Sequence, residues 1–209
     1  MRTMAEQGLL LVISGPSGCG KDTIIHEVLH HLDGDGFLSV SMTTRPKRGE
    51  EVHGLHYYFV SETEFLQNVQ NDQMLEYAQY GENYYGTPVG PIRELLAQGK
   101  TVILNIEVTG GKNVRRLLPF AVEVFVAPPS LQELRRRLEK RGTETPQAIE
   151  TRMKIATREL ACAKDYDYIV INDVLEDAVQ DVLAIIRTSK LKKENMLNKL
   201  SEVTDYAES

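Results

Sequence analysis

Gly15, Gly18, Gly20 and Lys21 crowd into one short run, Ser14-Gly15-Pro16-Ser17-Gly18-Cys19-Gly20-Lys21-Asp22-Thr23. Glycines let the backbone curl until successive N–H groups converge, and phosphate oxygens are the ligand such a cradle suits. A helix beginning at Gly20 would aim the positive end of its dipole at the same point. Lys21 adds a mobile ammonium that can follow negative charge toward the β- and γ-phosphates of a nucleotide. The bland alternative is a glycine-rich turn with a surface lysine. An apolar run before the loop and helical spacing after it supply the context a P-loop requires.

Asp22 occupies the position after the lysine, where a Ser or Thr usually ligates Mg²⁺. A carboxylate is a hard oxygen ligand and can hold magnesium directly or through water, yet it repels phosphate when no metal is present. Thr23 supplies a hydroxyl one position later. Cys19 sits where a helix N-terminus could lower a thiol pKa. Nothing nearby marks a redox site, so it reads as a small loop residue.

A second concentration of charge lies in Ser41-Met42-Thr43-Thr44-Arg45-Pro46-Lys47-Arg48, followed by Tyr57-Tyr58-Phe59. Guanidinium forks hold phosphate bidentately, so Arg45 and Arg48 suit a phosphorylated ligand. Glu76 and the segment Asn83-Tyr84-Tyr85-Gly86-Thr87-Pro88 come next. A glutamate matches the guanine edge, which offers N1–H and the N2 amine as two donors. On residue types alone, a solvated basic loop remains the alternative. A third cluster runs Arg135-Arg136-Arg137-Leu138-Glu139-Lys140-Arg141, with Arg152 beyond it. Arg137 and Arg141 are spaced to share one helix face. Asn105-Ile106-Glu107 ends one expected strand and Asn172-Asp173 another, places where ligand groups gather in α/β sheets.

The elements that must hold these groups alternate in type. Leu9–Ser14 reads as a buried strand, residues 20–32 as a helix, and residues 33–36 as a break. Helical spacing returns around Phe65, Leu66 and Val69, and again at Ile92, Leu95 and Leu96 before Gly99. Strands are expected at residues 101–106, 122–126 and 168–171. Helices are expected at 111–118, at 130–140, from Thr145-Pro146 onward, and from about Glu176. Proline is tolerated in a first helical turn, which supports the Thr145-Pro146 start. Ile149, Met153, Ala156, Leu160 and Ala163 share one face of that helix. Strands joined by helical crossovers predict an α/β fold, a mostly parallel sheet with helices on both faces. Residues 39–98 and 131–155 look like two insertions on a core formed by 8–38, 99–130 and 156–187.

Composition narrows the function classes. The net charge of −6 over 209 residues argues against a nucleic-acid-binding surface, though not against a local arginine cluster. The apolar run from Leu9 to Ile13 is far shorter than the roughly 20 residues of a membrane helix. Two cysteines, Cys19 and Cys162, make neither a disulfide framework nor a zinc cage, so a cytoplasmic, reducing compartment is expected. The tail 188–209 carries Leu191, Leu197 and Leu200 among charges. It reads equally as a helix extension, a contact in a homo-oligomer, or a frayed end.

Taken in order, residues 15–23, 41–59, Glu76, 83–87, 137–144 and Asn172-Asp173 resemble the guanylate kinases, and the likeness covers about residues 8–187. The resemblance implies a P-loop NTPase fold with a nucleoside-monophosphate-binding insertion at 39–98 and a lid at 131–155. It implies transfer of a phosphoryl group from ATP to GMP with Mg²⁺. Arg45, Arg48, Tyr57 and Tyr85 would hold the GMP phosphate, Ser41, Glu76 and Thr87 would read guanine, and Glu107 would reach the GMP ribose or base. The loop from Gly15 through Pro16, Ser17, Gly18, Cys19, Gly20, Lys21 and Asp22 to Thr23 would hold ATP. Arg137, Arg141 and Arg152 would close on the transferring phosphates, with Asn172 on the adenine side. Asn105, Glu107 and Thr109 depart from the family's usual acid, aspartate and glutamine. Asp22 is the best argument for a related kinase of ribose bisphosphate. A non-catalytic binding module of the same fold is the remaining alternative, and such modules typically have degraded phosphate loops.

Overall fold

A computed structural model describes residues 8–108, 118–140, 145–193 and 195–196. The expected helix at 111–118 lies almost wholly outside the described residues. Thr109, Arg141 and most of the tail's apolar positions also fall outside them.

The first strand, β1 (Leu9–Ser14), is buried at every position. A strand covered on both faces has no polar side to present, which is why its sequence is a continuous apolar run. After the loop comes α1 (Lys21–His31), then β2 (Gly36–Leu38). A mixed segment follows: β3 (Met42–Thr43), β4 (Tyr58–Phe59), α2 (Glu62–Gln70), β5 (Met74–Tyr80), β6 (Asn83–Pro88) and α3 (Val89–Ala97). The chain then returns to the first sheet with β7 (Thr101–Asn105) and β8 (Val122–Ala127). Two helices, α4 (Leu131–Lys140) and α5 (Pro146–Leu160), precede β9 (Tyr168–Ile171) and α6 (Leu175–Lys190).

The main sheet is parallel throughout, in the order β2-β7-β1-β8-β9. Parallel neighbours need crossovers, and the helices between them cover the faces. Ile24, Ile25 and Val28 of α1 pack with Val179, Val182 and Ile186 of α6 on one face. Ile92 of α3 packs with Leu10, Val12, Val102 and Leu104 on the other. The chain leaves β1 toward β2 on one side and later returns to β8 on the opposite side. The loop after β1 therefore opens at the point where the winding reverses, which is where such sheets bind ligands. Ile13 pairs with Asn105 and Ser14 with Phe125, so the ends of β7 and β8 flank the start of the loop.

Four short strands make a second sheet, β4-β3-β6-β5, from the turn-rich segment. A β5–β6 hairpin, turned by Gly81-Glu82 with φ 61° at Gly81, places β5 at the edge of this sheet. A glycine at the first central position suits a two-residue hairpin turn. Sequence spacing did not signal this hairpin, nor the three-residue β2. Strand β7 ends at Asn105, one residue before the expected end, and Ala163 lies in a short 3₁₀ turn beyond α5 rather than on its face.

Helix starts follow local chemistry. Ser61 caps α2 by accepting from Glu64 N–H at 3.1 Å. Thr145 caps α5 by accepting from Ala148 N–H at 3.3 Å, with Pro146 in the first turn, as the sequence predicts. Helix α5 continues unbroken across residues 155 and 156, where the lid was expected to meet the core.

Candidate active site

The loop after β1 has the backbone that its glycines permit. Gly20, which precedes α1, has φ 96°, and a Cβ there would lie 2.3 Å from Asn172 Nδ2. Gly15 has φ 150°, and a Cβ there would meet the Val126 carbonyl at 2.1 Å. At Gly15 both the backbone angle and the Val126 carbonyl oppose a side chain, and at Gly20 a side chain would strain the backbone and displace the Asn172 amide. Lys21 Nζ donates back to the Gly15 carbonyl at 2.7 Å, so the ammonium lies folded across the loop. Cys19 is fully buried beneath it, and burial pushes its thiol up despite Lys21 nearby. That fits the reading of Cys19 as an inert loop residue.

Two clefts flank the loop, and Gly18, Gly20 and Thr23 border both. The first, about 530 Å³, brings Lys21, Asp22, Asn105, Glu107 and Arg152 together with Tyr57. Glu159 of α5 also faces it, a residue that sequence reasoning missed. Burial and the nearby Glu107 hold the Glu159 carboxyl above its usual range, while Lys21 pulls it down. The second cleft, about 510 Å³, lies against Arg136, Arg137, Asn172 and Asp173.

Arg137 ties α4 to the loop. Its Nη1 donates to the Cys19 carbonyl at 3.4 Å and its Nη2 to the Asn172 carbonyl at 2.9 Å. Glu133, one turn earlier, accepts from Arg137 Nε at 2.8 Å and from Arg136 through both oxygens. These guanidinium bonds hold the Glu133 carboxyl at about 2. Asn172 is buried, and its Nδ2 donates to the Cys19 carbonyl at 2.8 Å. Its amide thus braces the loop from the edge of the second cleft. Arg135 lies on the outer side and pairs with Glu150 of α5 at 2.6 Å. Arg136 is largely exposed, and it borders the second cleft.

The small sheet assembles the other group of expected residues. Arg45, just past β3, is 7% exposed, low for a guanidinium. Its two Nη atoms donate to the two oxygens of Glu51 at 3.0 and 2.8 Å. Its Cζ stands 5.5 Å from the Tyr57 ring centroid and 5.7 Å from that of Phe59. Tyr85 hydrogen-bonds to the same guanidinium, and its ring meets Tyr57 edge-on at 6.1 Å. Arg48 is exposed, and its backbone N–H donates to Glu51 at 2.8 Å. Glu51 was not singled out from sequence; it is one acid in a charged loop, and only the fold shows what it holds.

Glu76 on β5 and Thr87 on β6 are directly paired, and Thr87 Oγ1 donates to Glu76 Oε1 at 2.7 Å. Burial raises the Glu76 carboxyl pKa, and the Thr87 bond offsets part of that rise. Ser41 immediately precedes β3, whose Met42 pairs with Gly86 beside Thr87. Glu107 lies with the loop in the first cleft, and Arg152 faces the same space from α5.

Hard oxygen donors suit Mg²⁺, and the first cleft offers the Asp22 carboxylate, the Thr23 hydroxyl, Glu107 and Glu159. Among the described residues no three His, Cys, Asp or Glu side chains are grouped to hold a metal by themselves. Sparse protein ligation fits an ion that arrives with phosphates and keeps waters. Among those residues, too, no helix is long and apolar enough to cross a membrane.

A parallel α/β sheet whose first strand runs through a glycine loop and lysine into a helix defines a P-loop NTPase fold. The guanylate kinase family model matches residues 7–189. The chain belongs to the guanylate kinase family. It is 48% identical over 183 residues to a guanylate kinase of Lactobacillus delbrueckii subsp. bulgaricus, covering 88% of this chain and 90% of that one. It is 45% identical to a guanylate kinase of Lactiplantibacillus plantarum, covering 99% and 100%. The crystal structure of guanylate kinase from Anaplasma phagocytophilum superposes with a TM-score of 0.71 at 29% identity, covering 91% and 90%.

Proposed function

We propose that the chain transfers the γ-phosphoryl group of ATP to GMP, giving ADP and GDP. One observation carries the reading: Tyr57 borders the cleft that holds Lys21 while its ring faces the Arg45 guanidinium. The donor and acceptor phosphates meet, in this reading, at Tyr57, which touches both groups of residues. In this reading residues 39–98 bind the acceptor and 131–155 form the lid. Arg45, Arg48, Tyr57 and Tyr85 hold the GMP phosphate; Ser41, Glu76 and Thr87 read the base.

An oxygen of the GMP phosphate attacks Pγ in line, and the bond from Pγ to the bridging oxygen of ADP breaks. The phosphate is already ionised near neutral pH, so no general base is needed. Lys21, Arg137 and Arg152, with Arg141 in the undescribed stretch, counter charge on the moving oxygens. Asp22 is the residue that would hold Mg²⁺, directly or through water, and the ion would supply charge neutralisation at the phosphates. Closure of the lid excludes the water that would otherwise accept the phosphoryl group. The reaction belongs to purine nucleotide metabolism in a reducing cytoplasm.

The retained glycine loop and Lys21 oppose a non-catalytic binding module, and the Glu76–Thr87 pair favours a guanine over a sugar phosphate. An ADP-release assay with GMP, AMP, UMP and a phosphoribose acceptor decides between them. Turnover with GMP is expected; turnover confined to the sugar phosphate overturns the reading.

A further inference from the structure

In the first cleft, Asn105 Nδ2 donates to Asp22 Oδ1 at 2.7 Å, across 83 residues of chain. Both side chains are exposed, so neither is held there by burial. Asp22 stands in the first turn of α1, where the helix dipole favours a carboxylate but does not orient it. Asn105 ends β7, and its pairing with Ile13 fixes it beside the start of the loop.

The residue type is informative. Glu107 and Glu159 already face this cleft. An acid at 105 would set another carboxylate against Asp22, and a lysine would neutralise it. An amide donates one hydrogen bond and adds no charge. It restrains one oxygen of Asp22 and leaves the other available to a cation.

We propose that Asn105 is a positioning residue, whose amide holds the Asp22 carboxylate toward the divalent cation accompanying the triphosphate. This rests on the proposed phosphotransfer. Asn105 does not touch the reacting atoms; it acts through Asp22.

The test is a double-mutant cycle on the full chain. Mn²⁺ binding is read by electron paramagnetic resonance with a non-hydrolysable ATP analogue, for wild type, Asp22→Ala, Asn105→Ala and the double variant. Asn105→Ala is expected to weaken Mn²⁺ binding about tenfold, as loss of a ligand-orienting partner does. In the Asp22→Ala background the same substitution is expected to change affinity less than about twofold, because the group it orients is gone. Thermal unfolding of each variant separates loss of fold. If Asn105→Ala is destabilised, the near-isosteric Asn105→Leu gives the same reading. Equal effects in both backgrounds, or wild-type Mn²⁺ affinity in a folded Asn105→Ala chain, overturn the proposal. A wild-type chain that forms no ADP from ATP and GMP fails the function instead; one that does, yet shows equal effects, fails only this inference.

Discussion

Arg45 and Glu51 meet fork to fork, with Nη1 and Nη2 lying 3.0 and 2.8 Å from the two carboxylate oxygens. Two parallel bonds fix a guanidinium in plane and direction, which one point charge could not do. Glu51 is itself tied to the loop by the Arg48 N–H at 2.8 Å. It is therefore a built-in holder of the arginine rather than a mobile competitor for it. The Glu51→Ala chain is expected to show a KM for GMP raised about tenfold or more, with kcat changed less, as loss of a charged hydrogen bond predicts. Initial rates with varied GMP measure it. A fall in KM would mean that Glu51 competes with the acceptor phosphate.

Lys21 folds back onto the Gly15 carbonyl at 2.7 Å, at the mouth of the first cleft. A backbone carbonyl is a weak partner beside a polyphosphate, so the ammonium is free to exchange one for the other. Lys21→Ala is expected to reduce kcat at least about 100-fold through lost transition-state charge stabilisation. Single-turnover rates at saturating ATP and GMP report the chemical step. Near-wild-type rates would remove Lys21 from the mechanism.

The Glu76–Thr87 pair ties base recognition to stability. Burial raises the Glu76 pKa above the ordinary 4.5, so the folded chain holds that proton more tightly than the unfolded one. The proton-linked stability is full below about 4.5 and is lost as pH rises through the folded value. Glu76→Gln removes this slope. The variant should gain in unfolding temperature relative to wild type as pH rises from 4 to 7. It should also lose on the order of 100-fold in kcat/KM for GMP, because the amide cannot accept from both guanine donors. Parallel melting curves that keep a constant gap across this range contradict the linkage.

What could be read in advance was what local spacing encodes. β1 is legible because a strand buried on both faces must be apolar throughout, and α5 because Thr145-Pro146 is a start signal in itself. The β5–β6 hairpin was not, since Glu76 and Gln79 break any apolar stripe and Tyr77, Ala78 and Gln79 are exposed in succession. The site divided along the same line. Lys21 and Arg45 lie in runs of unusual composition. Glu51 and Glu159 are ordinary acids in charged surroundings, and their place follows only from contacts made when distant segments meet.

Asn172 is where three parts of the molecule join. Its Nδ2 donates to the Cys19 carbonyl of the loop, its own carbonyl accepts from Arg137 of α4, and its N–H bonds the Ala127 carbonyl at the end of β8. Among the described residues, removing the side chain leaves the Cys19 carbonyl with only the 3.4 Å side-chain contact from Arg137. Asn172→Ala is therefore expected to cost about 1–2 kcal/mol of stability, the usual penalty for a buried acceptor losing its donor. The loosened loop should raise the KM for ATP more than that for GMP, because the brace acts on the donor side. Denaturant titration and initial rates with each nucleotide varied in turn test both halves. A loss confined to GMP would show that the loop does not depend on this amide, and that strand β9 serves the acceptor side instead.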